Sequence, residues 1–241
     1  MVKARLADLG GAGPPILLIH GYGSDSLSWS ALMPHLASFC HVHAIDLPGH
    51  GKAPADVGDG TLDTLTKAVE LAVTDLPQPF ALLGHSLGGA VAIALQKRMP
   101  ASVTSLTLIA PAGFGKIKDP DFPDDFANAE TEEELRPVLL RLVTREKLIQ
   151  PMLARHVLTG LAGAGRREAL RQLAVTLKTM DRLDLPYPAR TRLIWGEDDR
   201  IMRYPHRVEA MGLAGIYRFP DCGHLPHVEA AAQTARAIRA S

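Results

Sequence analysis

Apolar residues along this chain follow two periods, and the alternation between them is the first guide to its fold. Short continuous apolar runs recur at Pro15–Ile19, His43–Asp46, Phe80–Leu83, Ser105–Ala110, Thr191–Gly196 and Ile216–Pro220. Such runs suit strands of a parallel sheet that is covered on both faces. Arg5–Leu9 adds a short first edge strand. Between the runs, Leu62, Leu65, Val69, Ala72, Val73 and Leu76 fall three or four positions apart or adjacent, which marks one apolar helix face. Leu87–Lys97 is apolar nearly all round, as a helix covered on every side would be. The repetition predicts an α/β fold, a mostly parallel central sheet flanked by helices.

From Gly113 to about Pro186 the alternation stops. This stretch reads as helices broken by Pro120, Pro123, Pro137, Pro151 and a turn over Gly160–Gly165. Thr131-Glu132-Glu133-Glu134 has the form of a capping box. Leu170, Leu173, Ala174 and Leu177 make an apolar stripe opposite Arg166, Arg167 and Arg171. The expected organisation is a core of residues 1–113 and 187–241 with a helical cap of residues 114–186. Leu139, Leu140, Met152, Leu153, Val157 and Leu158 can line a pocket beneath that cap or simply pack within it.

Candidate chemistry centres on Leu82-Leu83-Gly84-His85-Ser86-Leu87-Gly88-Gly89. A GxSxG pattern here hangs on the end of an apolar strand and opens a small-residue helix. A serine hydroxyl is a poor nucleophile near neutrality, so it needs a sharp turn, a neighbouring base and backbone donors for the oxyanion. The elbow supplies one such donor, the Leu87 amide. Two later strands deliver the remaining groups in chain order. Glu197-Asp198-Asp199 follows Thr191–Gly196, and Asp221-Cys222-Gly223-His224 follows Ile216–Pro220.

These residues resemble the α/β-hydrolase family from about Lys3 to the C-terminus. The GxxD pattern in Gly196-Glu197-Asp198-Asp199 matches the family's acid on Asp199, with Asp198 as its rival, and Gly223-His224 matches its histidine. The resemblance implies a catalytic triad of Ser86, Asp199 and His224. His224 would act as general base towards Ser86, and Asp199 would hold the imidazole in its useful tautomer. His20-Gly21-Tyr22-Gly23 matches the family's HG signature and implies a second oxyanion donor on the Tyr22 backbone. Gly21, Met152 and Val157 are the candidate substrate contacts. In the family's strand count, the cap is inserted after the sixth strand. Arg203 stands where the family usually has proline, which leaves the path of the acid loop open.

A second resemblance lies in Leu108–Gly115, Glu130–Leu140 and Gly223–Ala230. These are similar to the hydrolase-type domain of the acetoin dehydrogenase acyltransferase component, without its lipoyl domain. An acyl transfer of that kind would call for a carrier in trans.

Composition bears mainly on partners. Lys plus Arg equals Asp plus Glu at 26 each, so no net field recruits nucleic acid or an anionic membrane. No apolar run reaches the roughly 20 residues of a spanning helix. With no leader recognised ahead of the first strand and only Cys40 and Cys222 present, a cytoplasmic protein with reduced thiols is expected. His41 and His43 share a face if their strand is extended, yet no nearby cysteine or carboxylate pair completes a recognised ligand spacing. No metal and no cofactor is therefore expected. The expected partner is a small-molecule acyl substrate, and a homo-oligomer is compatible with the sequence. Aromatic residues make up 5% of the chain, which suggests an aliphatic pocket. The leading reading is a serine hydrolase that cleaves a small ester or thioester. The alternatives are an acyltransferase using a thiol or alcohol acceptor, a perhydrolase or C–C bond hydrolase, and a triad-bearing ligand-binding protein with slow turnover.

Overall fold

In a computed structural model, which describes residues 1–180, 182–187 and 190–239, seven strands form one sheet. They are β1 (Arg5–Gly11), β2 (Pro15–Ile19), β3 (His41–Asp46), β4 (Phe80–His85), β5 (Val103–Ile109), β6 (Thr191–Gly196) and β7 (Gly215–Phe219), in the spatial order β1-β3-β2-β4-β5-β6-β7. Only β1 is antiparallel to its neighbour; every other pair is parallel. The order turns back on itself between β2 and β4. Crossovers leave in opposite directions there, and a crevice opens at the carboxyl ends of the strands.

The unbroken apolar runs follow from coverage of both faces. In β2, Leu17 and Ile19 join a core shared with α2 (Leu62–Ala72) and α3 (Leu87–Arg98). Ile16 and Leu18 join the opposite core, with Trp29, Leu32, Leu36 and the C-terminal helix α9 (Ala231–Arg239). A side chain of this kind contributes about 1.5–3 kcal/mol when fully buried, so a one-residue slip of register is strongly disfavoured. Helix α3 is buried nearly all round, as its composition predicts. Helices α1 (Met33–Leu36) and α8 (Pro226–Glu229) are too short to show a period, and these and the amphipathic α9 are recognised only in the structure.

The long helical insertion falls between β5 and β6. It therefore follows the fifth strand of this sheet, where the family count placed it after the sixth, because only β1 precedes β2 among the described residues. The insertion contains α4 (Phe122–Asn128), α5 (Glu132–Leu140), α6 (Pro151–Leu161) and α7 (Arg166–Thr179). Pro123 and Pro151 sit in first turns, where a missing N–H costs nothing. Pro137 does not break α5, which runs through it. Half of the capping box forms, as the Thr131 hydroxyl accepts from the Glu134 amide, while the Glu134 carboxylate accepts from the Glu130 amide at 2.7 Å, one residue before the cap. Leu170, Leu173, Ala174 and Leu177 are buried on α7, as their stripe predicts. Ile117 makes an isolated antiparallel bridge to Met202. Among the described residues, no helix is long and apolar enough to cross a membrane.

Candidate active site

Strand β4 passes into α3 through Ser86, whose backbone stands at φ 50° and ψ −117°. A non-glycine residue at positive φ is uncommon and persists only where its surroundings over-determine it. Here the Ser86 amide donates to the Ile109 carbonyl, and the Ser86 carbonyl accepts from the Ala112 amide, each at 2.9 Å. Gly84 and Gly88 complete the turn. A Cβ on Gly88 would run into the Ile19 and His20 carbonyl oxygens, and one on Gly84 into the Gly88 carbonyl. Leu87 is the first residue of α3, so its N–H has no helical carbonyl four residues back to bond.

The loop after β2 lies against this elbow. A Cβ on Gly21 would come within 2.7 Å of the His85 ring and 3.1 Å of the Ser86 Cβ. Two buried imidazoles hold the loop. His20 donates from Nδ1 to the Gly21 carbonyl at 2.8 Å and accepts at Nε2 from the Leu47 amide at 3.0 Å. His50 donates from Nδ1 to Pro48 and accepts at Nε2 from the Gly23 amide, each at 3.0 Å. Each arrangement needs a neutral ring with one donor and one acceptor nitrogen. Burial favours that form, lowering the His20 pKa and bringing His50 down to about 3. The Tyr22 hydroxyl lies 2.9 Å from the Pro123 carbonyl and 3.1 Å from that of Leu170, which ties the loop to α4 and α7.

Asp199 and His224 meet across the carboxyl ends of β6 and β7. Nδ1 of His224 is 2.8 Å from Oδ2 of Asp199, and both side chains are 2% exposed. Oδ1 of Asp199 accepts from the Ile201 and Met202 amides at 2.8 and 2.9 Å. Its rival, Asp198, is exposed to solvent. The acid loop's path, left open by Arg203, is set by the start of the insertion. The Lys118 amide donates to Ile201, the Arg203 amide donates to Lys116, and the Lys118 ammonium donates to the Asp199 carbonyl at 3.1 Å.

Glu229 is a residue that local motifs did not reveal. Its buried carboxylate accepts from the Gly223 amide at 2.7 Å, and from the Thr144 amide and hydroxyl at 2.9 and 2.7 Å. The Arg145 guanidinium donates to the Glu229 carbonyl. The His224 amide donates to Leu142 at 2.8 Å, so the histidine loop is fastened to the segment after α5. His85 donates from Nε2 to the His224 carbonyl at 2.9 Å, linking the residue beside Ser86 to the histidine loop. The His85 ring packs against those of His224 and His227, with centroids 4.8 and 4.6 Å away. Burial pushes His85 well below the usual histidine range and His227 down to about 3. The second missed carboxylate is Asp46, whose oxygens accept from the Ser26 and Lys52 amides at 2.7 and 2.9 Å. Burial alone would raise its pKa, but those donors outweigh burial and lower it.

A family model described as the alpha/beta hydrolase family matches residues 16–237. The chain belongs to the alpha/beta hydrolase family. It is 34% identical over 238 residues to the dihydrolipoyllysine-residue acetyltransferase component of the acetoin cleaving system of Pseudomonas putida, covering 95% of this chain and 64% of that relative. The chain thus spans less than two thirds of that relative's length. It is 42% identical over 99 residues to the pimeloyl-[acyl-carrier protein] methyl ester esterase of Methylococcus capsulatus, covering 41% of this chain and 37% of that relative. Among solved structures, a meta-cleavage product hydrolase from Pseudomonas fluorescens IP01 superposes with a TM-score of 0.84 at 20% identity, covering 98% of this chain and 93% of that one. At that identity the likeness speaks for the fold alone.

The three candidate substrate contacts of this α/β hydrolase differ in their surroundings. Gly21 presses on the elbow, Val157 is half-buried on α6, and Met152 at the start of α6 is 79% exposed. His156 of the same helix meets Asp25 at 3.0 Å, which holds α6 beside the loop after β2. A cavity of about 660 Å³ has Ala112, Phe114, Met180, Met202, Tyr204 and Arg207 among its walls, and neither Ser86 nor His224 lines it. Gly21, Met152 and Val157 are not part of that lining. Cys40 and Cys222 are free and buried, and burial pushes the Cys222 thiol up to about 12.

Proposed function

We propose that this chain is a serine hydrolase that cleaves a small ester or thioester through an acyl-enzyme on Ser86. The observation that carries the reading is the buried His224–Asp199 pair at 2.8 Å, formed on the same edge of the sheet as the strained Ser86 elbow. In this mechanism Nε2 of His224 takes the Ser86 proton as the oxygen attacks the acyl carbon, then returns it to the leaving group. Asp199 fixes the proton on Nδ1 and stabilises the imidazolium. The Leu87 and Tyr22 amides receive the oxyanion, where loss of one donor costs on the order of 3 kcal/mol in the barrier. Water then releases the acyl group by the same route in reverse. Residues 114–186 act as a cap over a core of residues 1–113 and 187–241.

A second reading has specific support in the acetyltransferase relative: a thiol acceptor takes the acyl group in place of water. The two readings share the acyl-enzyme and differ in the second nucleophile. Turnover of p-nitrophenyl acetate and labelling by a fluorophosphonate test the shared part. Ser86→Ala is expected to abolish both while its far-ultraviolet circular dichroism and melting temperature stay near wild type. Wild-type turnover in that variant would refute Ser86 as the nucleophile. Product formation that rises with added dithiol, and stays negligible in its absence, would favour transfer over hydrolysis.

A further inference from the structure

At the amino end of β3, far along the strand from its site-facing carboxyl end, His41 and His43 project to the same face. Their rings stack with centroids 4.7 Å apart and planes 10° from parallel. The antiparallel partner strand β1 sets Asp8 directly opposite His43. Oδ1 of Asp8 lies 2.8 Å from Nε2 of His41, and it also accepts from the Gly10 amide at 2.7 Å at a local shift in register. One ligand atom from each of the three residues lies within 4.8 Å of the other two. His43 is buried, and its Nδ1 has no hydrogen-bond partner.

We propose that Asp8, His41 and His43 form a binding site for a borderline divalent cation of the zinc type, separate from the acyl chemistry. Two imidazoles and one carboxylate are a donor set for zinc. Calcium and magnesium favour oxygen donors and are poorly matched to it. A tetrahedral zinc about 2.0–2.2 Å from each donor needs those donors about 3.4 Å apart. The widest separation, up to 4.8 Å, therefore has to close by roughly 1.4 Å and the Asp8–His41 pair, at 2.8 Å, to open by roughly 0.6 Å, which rotations of the more exposed members can supply. The Asp8 and His41 side chains are 60% and 39% exposed, so the cation has a path in, while His43 forms the floor. Water takes the remaining coordination position. Because the ligands come from two strands, the bound cation staples the edge strand β1 to β3. Its role is structural, since β3 reaches the active-site rim only at its other end, where Leu47 bonds His20.

Isothermal titration of the chelator-stripped full chain with zinc chloride tests this. A single saturable site is expected, together with a rise in melting temperature that EDTA reverses, since a ligand that binds only the folded state stabilises it. Asp8→Asn and His41→Gln alter partly exposed side chains and should fold. Each is expected to weaken zinc binding by ~10-fold or more, the scale on which even outer partners of bound metals act. His206→Gln, at an exposed histidine elsewhere, should bind like wild type. Absence of zinc binding, or binding that is the same in Asp8→Asn and His41→Gln as in wild type, overturns the proposal.

Discussion

The serine side and the histidine side of the candidate site are built by opposite means. Ser86 is set by its neighbours in sequence and by strands that pair with β4: glycines on either side, the Ile109 carbonyl and the Ala112 amide. His224 and Asp199 sit on loops held by groups borrowed from the helical insertion, through Leu142, Thr144, Lys116 and Lys118. The contrast teaches that the insertion does more than pack over the sheet. A change in its position would disturb His224 and Asp199 while leaving the elbow in place.

The largest effect should come from Asp199, the proposed acid. Asp199→Asn is expected to lower kcat by about 10⁴-fold in a folded protein as tautomer control is lost, measured with p-nitrophenyl acetate. A full rate there, with Asp198→Asn inactive, would move the acid to the exposed neighbour.

Acid should separate the two sides next. His50, in the turn after β3, holds the loop against the elbow and His227 belongs to the histidine side, and both have folded pKa values of about 3 against an ordinary value of 6.5. Between those limits the unfolded chain binds protons that the folded chain refuses. Their stabilising contribution is therefore complete above 6.5 and lost as pH falls towards 3. The loss is about 1.4 kcal/mol per pH unit for each histidine, with His20 and His85 acting in the same direction. Urea unfolding from pH 7 to 5 should show this slope. Replacing either His50 or His227 with Gln should remove its own share, and a flat profile would contradict neutral burial.

Glu229→Gln tests the coupling between insertion and histidine loop. The amide can accept from one of the Gly223 and Thr144 amides but sets a donor against the other, costing about 1–3 kcal/mol in stability. If Glu229 positions His224, kcat falls with KM little changed, and the rate of Ser86 labelling falls with it. Reduced stability with an unaltered kcat would leave Glu229 a purely structural residue.

The smallest effect is expected at Met152, whose exposed side chain makes Met152→Ser neutral to within about 0.5 kcal/mol by thermal melting. A selective rise in KM for longer acyl esters would bring α6 into the substrate pocket and sharpen the insertion's role.

Much of this architecture was legible in the chain. The apolar runs of β2 and β4 had to be doubly covered strands, and Gly84-His85-Ser86-Leu87-Gly88 had to turn sharply, because each feature is imposed within a few residues. The order of Ser86, Asp199 and His224 was equally plain. Glu229 gave no comparable signal, since its partner Thr144 lies 85 positions away and nothing around it in sequence requires a buried carboxylate. Asp8 was missed for the same reason: the spacing of His41 and His43 announced two ligands, but the third arrives across an antiparallel pairing 33 residues distant. Pro137 was read as a break because propensity weighs a residue in isolation, whereas α5 continues through it with Leu135, Val138 and Leu139 buried in the core.

The sequence by itself determined the layered α/β plan, the serine elbow and the identity of the groups that follow β6 and β7. Periodicity and steric limits on the backbone act over a handful of residues, and they survive without knowledge of what lies nearby. The tertiary structure alone decided how the insertion fastens the His224 loop and which strand supplies Asp8. Those outcomes depend on hydrogen bonds between groups brought together by sheet order and burial, and a chain's linear spacing does not encode such distances directly.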